Sequence, residues 1–313
     1  MDTGPGSKVI SPFFSSRILN CFLLLLFLIN LQGCSRTPTS RKLQVVASIE
    51  PLAYFVDRIG GNRVSVSVMV PPGGNPHSYE PTPKQMERLG KAVLFVKAGS
   101  GVEFELDWMR RFLELNRTLT VCDASAGVSL IPVTTLVEEQ EKPSVAGSNH
   151  HGMDDPHFWL SPQNARMIAA NVERSLATVD PANRKYYAAN RAVLDKELQA
   201  LDGQIRARLS GLKERHFLVF HPAWGYYARD YGLEQIAAEA EGKTLTPVQM
   251  TRVIEQARAK RIRVVFVSPQ FSTTQAEAIA RDIGGVTVMV DPLSRDYQQN
   301  LRQATAAFVR SMK

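Results

Sequence analysis

The stretch from Pro181 to Gly211 constrains the fold of this chain more than any other. Tyr186, Val193, Leu198, Leu201, Ile205 and Leu209 recur largely at three-, four- and seven-residue steps, and Gly203 is the sole interior glycine. Apolar residues at that period mark one continuous amphipathic helix. Some 30 residues at 1.5 Å each give a rod of about 45 Å, longer than a single domain needs. The rod predicts a spine joining two domains: residues 43–180, then 181–211 as the linking helix, then 212–313.

Both flanks alternate short apolar runs with helical periods. Strands are expected at 43–49, 64–70, 92–96 and 118–122 in the first half, and at 216–221, 233–238, 262–267 and 286–290 in the second. Thr82-Pro83-Lys84-Gln85, Thr246-Pro247-Val248-Gln249 and Ser272-Thr273-Thr274-Gln275 read as capping boxes that open helices. Asp180-Pro181 reads as another helix start. A β–α rhythm of this kind implies two α/β lobes with mainly parallel sheets. Residues 123–156 break it: they are polar, lack a core face and predict a surface loop.

Residues 1–33 stand apart. Lys8 and Arg17 precede the apolar run 18–31, too short for a bilayer span and right for a signal-peptide core. The run ends in Leu31-Gln32-Gly33-Cys34, which resembles the lipobox of a bacterial lipoprotein; residues 34–42 then form a polar tether. With Cys21 in the leader and Cys34 at the lipobox, Cys122 alone remains for the mature domain, so an internal disulfide is excluded there. The formal charge of +7 is scattered, and its densest cluster, Lys260-Arg261-Ile262-Arg263, falls where a helix gives way to a strand. Cations there complement the helix C-terminus, which argues against a nucleic-acid surface.

Four side chains share one placement, just after a strand or just before a helix. His77 lies in Pro71-Pro72-Gly73-Gly74-Asn75-Pro76-His77; His157 precedes Ser161-Pro162, an N-cap followed by a proline at the first helical position; His221 and Asp291 end strands. Ligands of open α/β sheets bind outside the carboxyl ends of strands, so two residues from each half would meet in the cleft between lobes. Three imidazoles and a carboxylate suit a divalent transition metal. His216 reads as a surface or capping residue, and Tyr79 and Glu80 as side chains that could orient His77. Trp159, Trp224 and Tyr226 read as packing around the site.

The segments PPGGNPHSYEPTP (71–83), DPHFWLSPQNA (155–165), FHPAWGYYARDYGL (220–233) and VDPLS (290–294) resemble, in order, the metal-site motifs of the cluster A-I, or TroA/ZnuA-like, substrate-binding proteins of ABC metal importers. The resemblance runs from about residue 43 to the C-terminus, and the lipobox fits it. It implies two lobes on one rigid helix with the metal between them, and carries over His77, His157, His221 and Asp291 as ligands. It implies a binding protein rather than an enzyme, anchored through lipid on Cys34, a monomer that hands metal to a permease with a separate ATPase. Zinc is the expected cargo, with manganese or iron as the alternative, because the manganese-selective branch tends to replace the third histidine with glutamate. His150 and His151 fall where zinc-specific relatives often carry a histidine-rich insertion, here a remnant that is a solvated loop or a site of metal capture. Ser268 stands where some relatives have a glutamate, which leaves that part of the site without a carboxylate.

Two other classes compete. A zinc-dependent hydrolase would use the same histidines, but the chain has no HExxH, GxSxG or P-loop motif, and four protein ligands would close the open position that catalysis needs. An adhesin-like surface lipoprotein would add a role to metal binding.

Overall fold

The computed structural model describes residues 1–4, 6, 42–133, 154–239 and 244–313. The apolar run of the leader, Cys34, the tether to residue 41, His150 and His151 lie outside the described residues. Lys42–Lys313 form one unit, separate from Met1–Arg41.

Within it, strand and helix alternate. The first lobe runs β1 (Leu43–Ala47), α1 (Glu50–Gly60), β2 (Val64–Val68), α2 (Pro83–Gly90), β3 (Leu94–Lys97), α3 (Glu103–Leu115), β4 (Thr120–Asp123) and α4 (Pro162–Val179). Then come α5 (Arg184–Leu209), β5 (His216–Val219), α6 (Gly225–Tyr231), β6 (Glu234–Ala237), α7 (Pro247–Ala259), β7 (Val264–Val267), α8 (Thr274–Asp282), β8 (Val286–Met289) and α9 (Tyr297–Ser311). Two four-stranded sheets result, ordered β2-β1-β3-β4 and β6-β5-β7-β8, with all their pairings parallel. Each connection must therefore carry the chain back along the sheet, which the intervening helices do. An antiparallel bridge between Pro132 and Asp154 brings together the two ends of the loop that interrupts the first lobe.

Local chemistry explains most boundaries. Thr82 and Thr246 each form a reciprocal capping box with the glutamine three residues on, and Ser161 Oγ accepts from Asn164 N–H ahead of α4. Two expected starts differ. Gln275 does not cap α8: its amide exchanges two 2.9 Å hydrogen bonds with the backbone of Leu245. Pro181–Asn183 is a 3-10 turn, so the long helix begins at Arg184, not at Pro181. The Asp180 carboxylate, free of capping, accepts from Asn183 at 2.7 Å and Tyr187 at 2.6 Å.

The helix that links the lobes, α5, has 26 residues, about 39 Å at 1.5 Å per residue. Its buried stripe is Tyr187, Leu194, Leu198, Leu201, Ile205 and Leu209. The sequence period is right but enters one residue early: Val193 is 56% exposed and Leu194 takes the inward place. This stripe joins one apolar core that includes Val45 and Phe95 of the first sheet and Phe217, Val219 and Phe308 of the second lobe. Leu218, between Phe217 and Val219, points to the opposite face and a smaller cluster with Val265 and Ile279.

The lobes are also tied at the far end of the chain. Arg295, just before α9, donates to Glu50 Oε2 at 2.8 Å and Asp57 Oδ2 at 2.7 Å on α1. Gln298 donates to Tyr54 Oη and Glu197 Oε2, both at 2.7 Å, and Tyr297 stacks on Tyr54. Trp159 Nε1 donates to Pro292 O, and Tyr297 Oη to Trp159 O.

Leu201→Ala should lower the unfolding free energy by about 2–5 kcal/mol, and Val193→Ala by no more than about 0.5. Urea titrations of the two variants check this; equal losses would contradict the assigned stripe.

Candidate metal centre

Three histidines are delivered by backbone that has little freedom to move. His77 follows Pro76 in the loop between β2 and α2, and its N–H donates to Asn75 Oδ1 at 3.0 Å. Phe104 N–H of α3 donates to Pro76 O, docking that loop on the helix start. His157 sits in a turn made by Asp155, whose Oδ1 accepts from both the backbone N–H (2.9 Å) and Nδ1 (2.8 Å) of the same histidine. Gly225 makes room for that carboxylate, since a Cβ there would lie 2.5 Å from Asp155 Oδ2. His221 follows Phe220 at the end of β5, and Ala223 N–H closes a tight turn onto its carbonyl.

Each imidazole is held through Nδ1 by a carboxylate: His77 by Glu103 Oε1 at 2.8 Å, His157 by Asp155 Oδ1 at 2.8 Å, and His221 by Glu239 Oε1 at 2.6 Å. Glu239 follows β6, the neighbour of β5, so adjacent parallel strands place donor and acceptor together. A carboxylate acceptor assigns the proton to Nδ1 in all three rings and leaves each Nε2 as a lone pair. Those lone pairs converge. His221 Nε2 lies 3.3 Å from His157 Nε2 and 3.4 Å from His77 Nε2, and the three ligand atoms fall within 4.8 Å of one another. Two nitrogens bound to zinc at 2.0–2.1 Å with a tetrahedral angle stand about 3.3–3.4 Å apart, which is the spacing observed on two of the three sides.

The electrostatics favour a neutral, ligating imidazole at His221. Burial, and the neighbouring His157 and His77 rings, hold His221 well below the usual imidazole range, against the opposing pull of Glu239. His221 therefore keeps its Nε2 lone pair when the pH falls below the ordinary value of about 6.5. Burial alone would raise the Glu103 carboxyl, but the hydrogen bond from His77 and the adjacent imidazoles bring it below its usual value. A carboxyl side chain thus backs each of the three imidazoles, an arrangement that suits a divalent cation.

Between the rings is a cavity of about 20 Å³, lined also by Val102, Trp159, Gln270, Phe271 and Leu293. That is room for one ion or one water. Phe271 lies over the His221 ring at 4.4 Å between centroids. A larger cavity of about 300 Å³ shares the three histidines and extends past Ser100, Leu106, Leu130 and Asp154.

Asp291 is not among the converging donors. Its Oδ1 accepts from Gln270 Nε2 at 2.8 Å and from Leu293 N–H at 2.9 Å. Glu80 is exposed, and the carboxylate on His77 is Glu103, 26 residues further on. Tyr79 donates to Gln85 of the α2 capping box instead of orienting His77. His216 is removed from the cluster, with Nε2 against Lys260 O. Trp159 packs edge-on to His157, and Tyr226 Oη donates to Asp155 O, so these aromatics support the site rather than line it with polar groups. Sequence reasoning missed Glu103, Asp155, Glu239 and Gln270 as partners. Only Asp155 left a local signal, the Asp-x-His spacing of a side chain that can turn back on its own backbone.

Comparison with known proteins identifies relatives of the whole domain. The family model for ZnuA, zinc-uptake complex component A, periplasmic, matches residues 45–311. The iron-binding protein YfeA of Yersinia pestis is 28% identical over 300 residues, 92% of this chain and 91% of that protein. The zinc-binding lipoprotein AdcA of Streptococcus pneumoniae is 27% identical over 282 residues, 88% of this chain but 54% of that longer protein. A crystal structure of ZnuA superposes with a TM-score of 0.79 at 35% identity, covering 87% of this chain and 100% of the other.

Glu103→Ala should weaken zinc binding by about 10- to 100-fold, because the Nδ1 partner fixes the ring and raises its basicity. Competition against a chromophoric chelator measures it. An unchanged affinity would remove Glu103 from the centre.

Proposed function

Because this chain belongs to the periplasmic zinc-uptake component A family, whose members are solute-binding proteins of metal ABC transporters and not enzymes, we propose that it captures zinc through His77, His157 and His221. The observation that carries the reading is the convergence of three Nε2 lone pairs at 3.3–3.4 Å, each ring locked by a carboxylate on Nδ1. Neutral nitrogen donors suit zinc, while carboxylate and water suit manganese. Asp291, hydrogen-bonded to Gln270 and Leu293 N–H, is the carboxylate that the family resemblance adds to this set. Its presence keeps open a second reading, manganese or iron as cargo, and one relative is named for iron.

Captured metal passes to a permease driven by a separate ATPase. Lipid on Cys34 holds the protein to the membrane as a monomer on the extracytoplasmic side. Among the described residues no helix is long and apolar enough to cross a membrane. Two relatives are named lipoproteins, which supports the lipid anchor.

Metal analysis of protein purified without added metal, with zinc–manganese competition, tests the cargo. Zinc at a thousandfold excess over Kd should stabilise the protein by about 4 kcal/mol. His77→Ala, His157→Ala or His221→Ala should each remove most of that gain. A His221→Ala protein that keeps the full zinc-induced rise in melting temperature would refute the site.

Cys34→Ser should abolish lipid modification and leave unprocessed or released protein, read by membrane fractionation and mass spectrometry. Mature-size variant still partitioning with membranes would refute the anchor.

A further inference from the structure

The turns after β7 and β8 lie side by side, because the two strands are parallel neighbours with Val267 paired to Met289. One turn carries Gln270 and the other Asp291. Gln270 Nε2 donates to Asp291 Oδ1 at 2.8 Å, and the same oxygen takes Leu293 N–H at 2.9 Å. Asn300 Nδ2 fixes the Asp291 carbonyl at 2.6 Å, so the backbone of this turn is held as well. Gln270 also lines the small cavity together with the three histidines.

A glutamine that served packing alone would satisfy both ends of its amide. Here the nitrogen is spent on Asp291, while Oε1 is buried with no partner in the protein. An unmade bond at a buried acceptor is a cost that packing does not return. The amide is therefore placed for something other than packing. It occupies Oδ1 of Asp291 together with Leu293 N–H, so a cation drawing on that oxygen must displace or share these bonds.

We propose that Gln270 is a specificity-determining residue that holds Asp291 away from the histidine cluster and so limits the protein's share of the metal shell to three imidazoles. The inference rests on the reading of His77, His157 and His221 as the site. An all-nitrogen shell favours zinc, and admitting a carboxylate shifts the preference toward manganese and similarly hard ions. Gln270 thus sets the balance between the two without touching the metal.

The test is a double-mutant cycle on the metal-free full chain, with Kd measured for Zn(II) and for Mn(II). Gln270→Met keeps the volume and removes the donor. It should tighten Mn(II) binding by at least about tenfold, the scale on which partners of metal ligands move affinity, and change Zn(II) binding much less. Adding Asp291→Asn should erase the gain, while Asp291→Asn alone should move Mn(II) far less. Gln270→Asn, too short to reach Asp291, should repeat the effect and guards against a folding defect in the methionine variant. An unchanged Zn/Mn ratio, or an Asp291→Asn loss equal in both backgrounds, overturns this inference alone. Wild-type protein that binds neither ion overturns the histidine site and this inference together.

Discussion

Three imidazole lone pairs aimed at one point repel each other until a cation sits among them, and the rest of this molecule exists to hold them there. The hold is exerted from behind. Glu103, Asp155 and Glu239 accept hydrogen bonds from Nδ1–H and so disfavour the tautomer that would let one ring hydrogen-bond to the next. Two of these carboxylates are buried, Asp155 at 2% exposure and Glu239 at 0%, where their charge costs most. That expense is offset when a divalent ion arrives, so binding energy and fold stability are coupled through the same groups.

Such a site tolerates little slack. The rings come from both lobes, and a shift of half an ångström would spoil nitrogen–nitrogen distances of 3.3–3.4 Å. The scaffold answers with α5, whose buried stripe makes the two lobes parts of one core, and with the Trp159–Pro292 and Tyr297–Trp159 hydrogen bonds close to the centre. The architecture gives precision by restricting motion, in contrast to binding proteins that close two domains around a hinge.

Much of this was legible in the sequence, for physical reasons that differ between parts. Parallel sheets leave apolar runs and capping boxes, so the β–α order and the family motifs around His77, His157 and His221 were readable. Thr82 and Thr246 cap as their spacing requires. Gln275 has the same spacing and does not, because the backbone of Leu245 competes for its amide and no local rule weighs a partner 30 residues away. The same limit hid Glu103 and Glu239: each is defined by a strand or helix neighbour, not by proximity along the chain. Asp291 shows the converse. Its motif was plain, yet its carboxylate is engaged by Gln270, a relation that only the juxtaposed turns reveal.

The clasp made by Arg295 bears on how the protein reaches its finished state. Its partner Glu50 lies 245 positions earlier in the chain, and Asp57 lies 238 earlier. A polypeptide made N-terminus first presents those acids long before the arginine emerges. Contacts of such separation form late, after the entropy of closing a long loop has been met. The first lobe can gather its sheet early, but α1 acquires these partners only when the segment before α9 has been made. A chain cut short before residue 295 would thus carry all three histidines, yet would lack the clasp on α1 and the Tyr297–Trp159 hydrogen bond that sits beside His157.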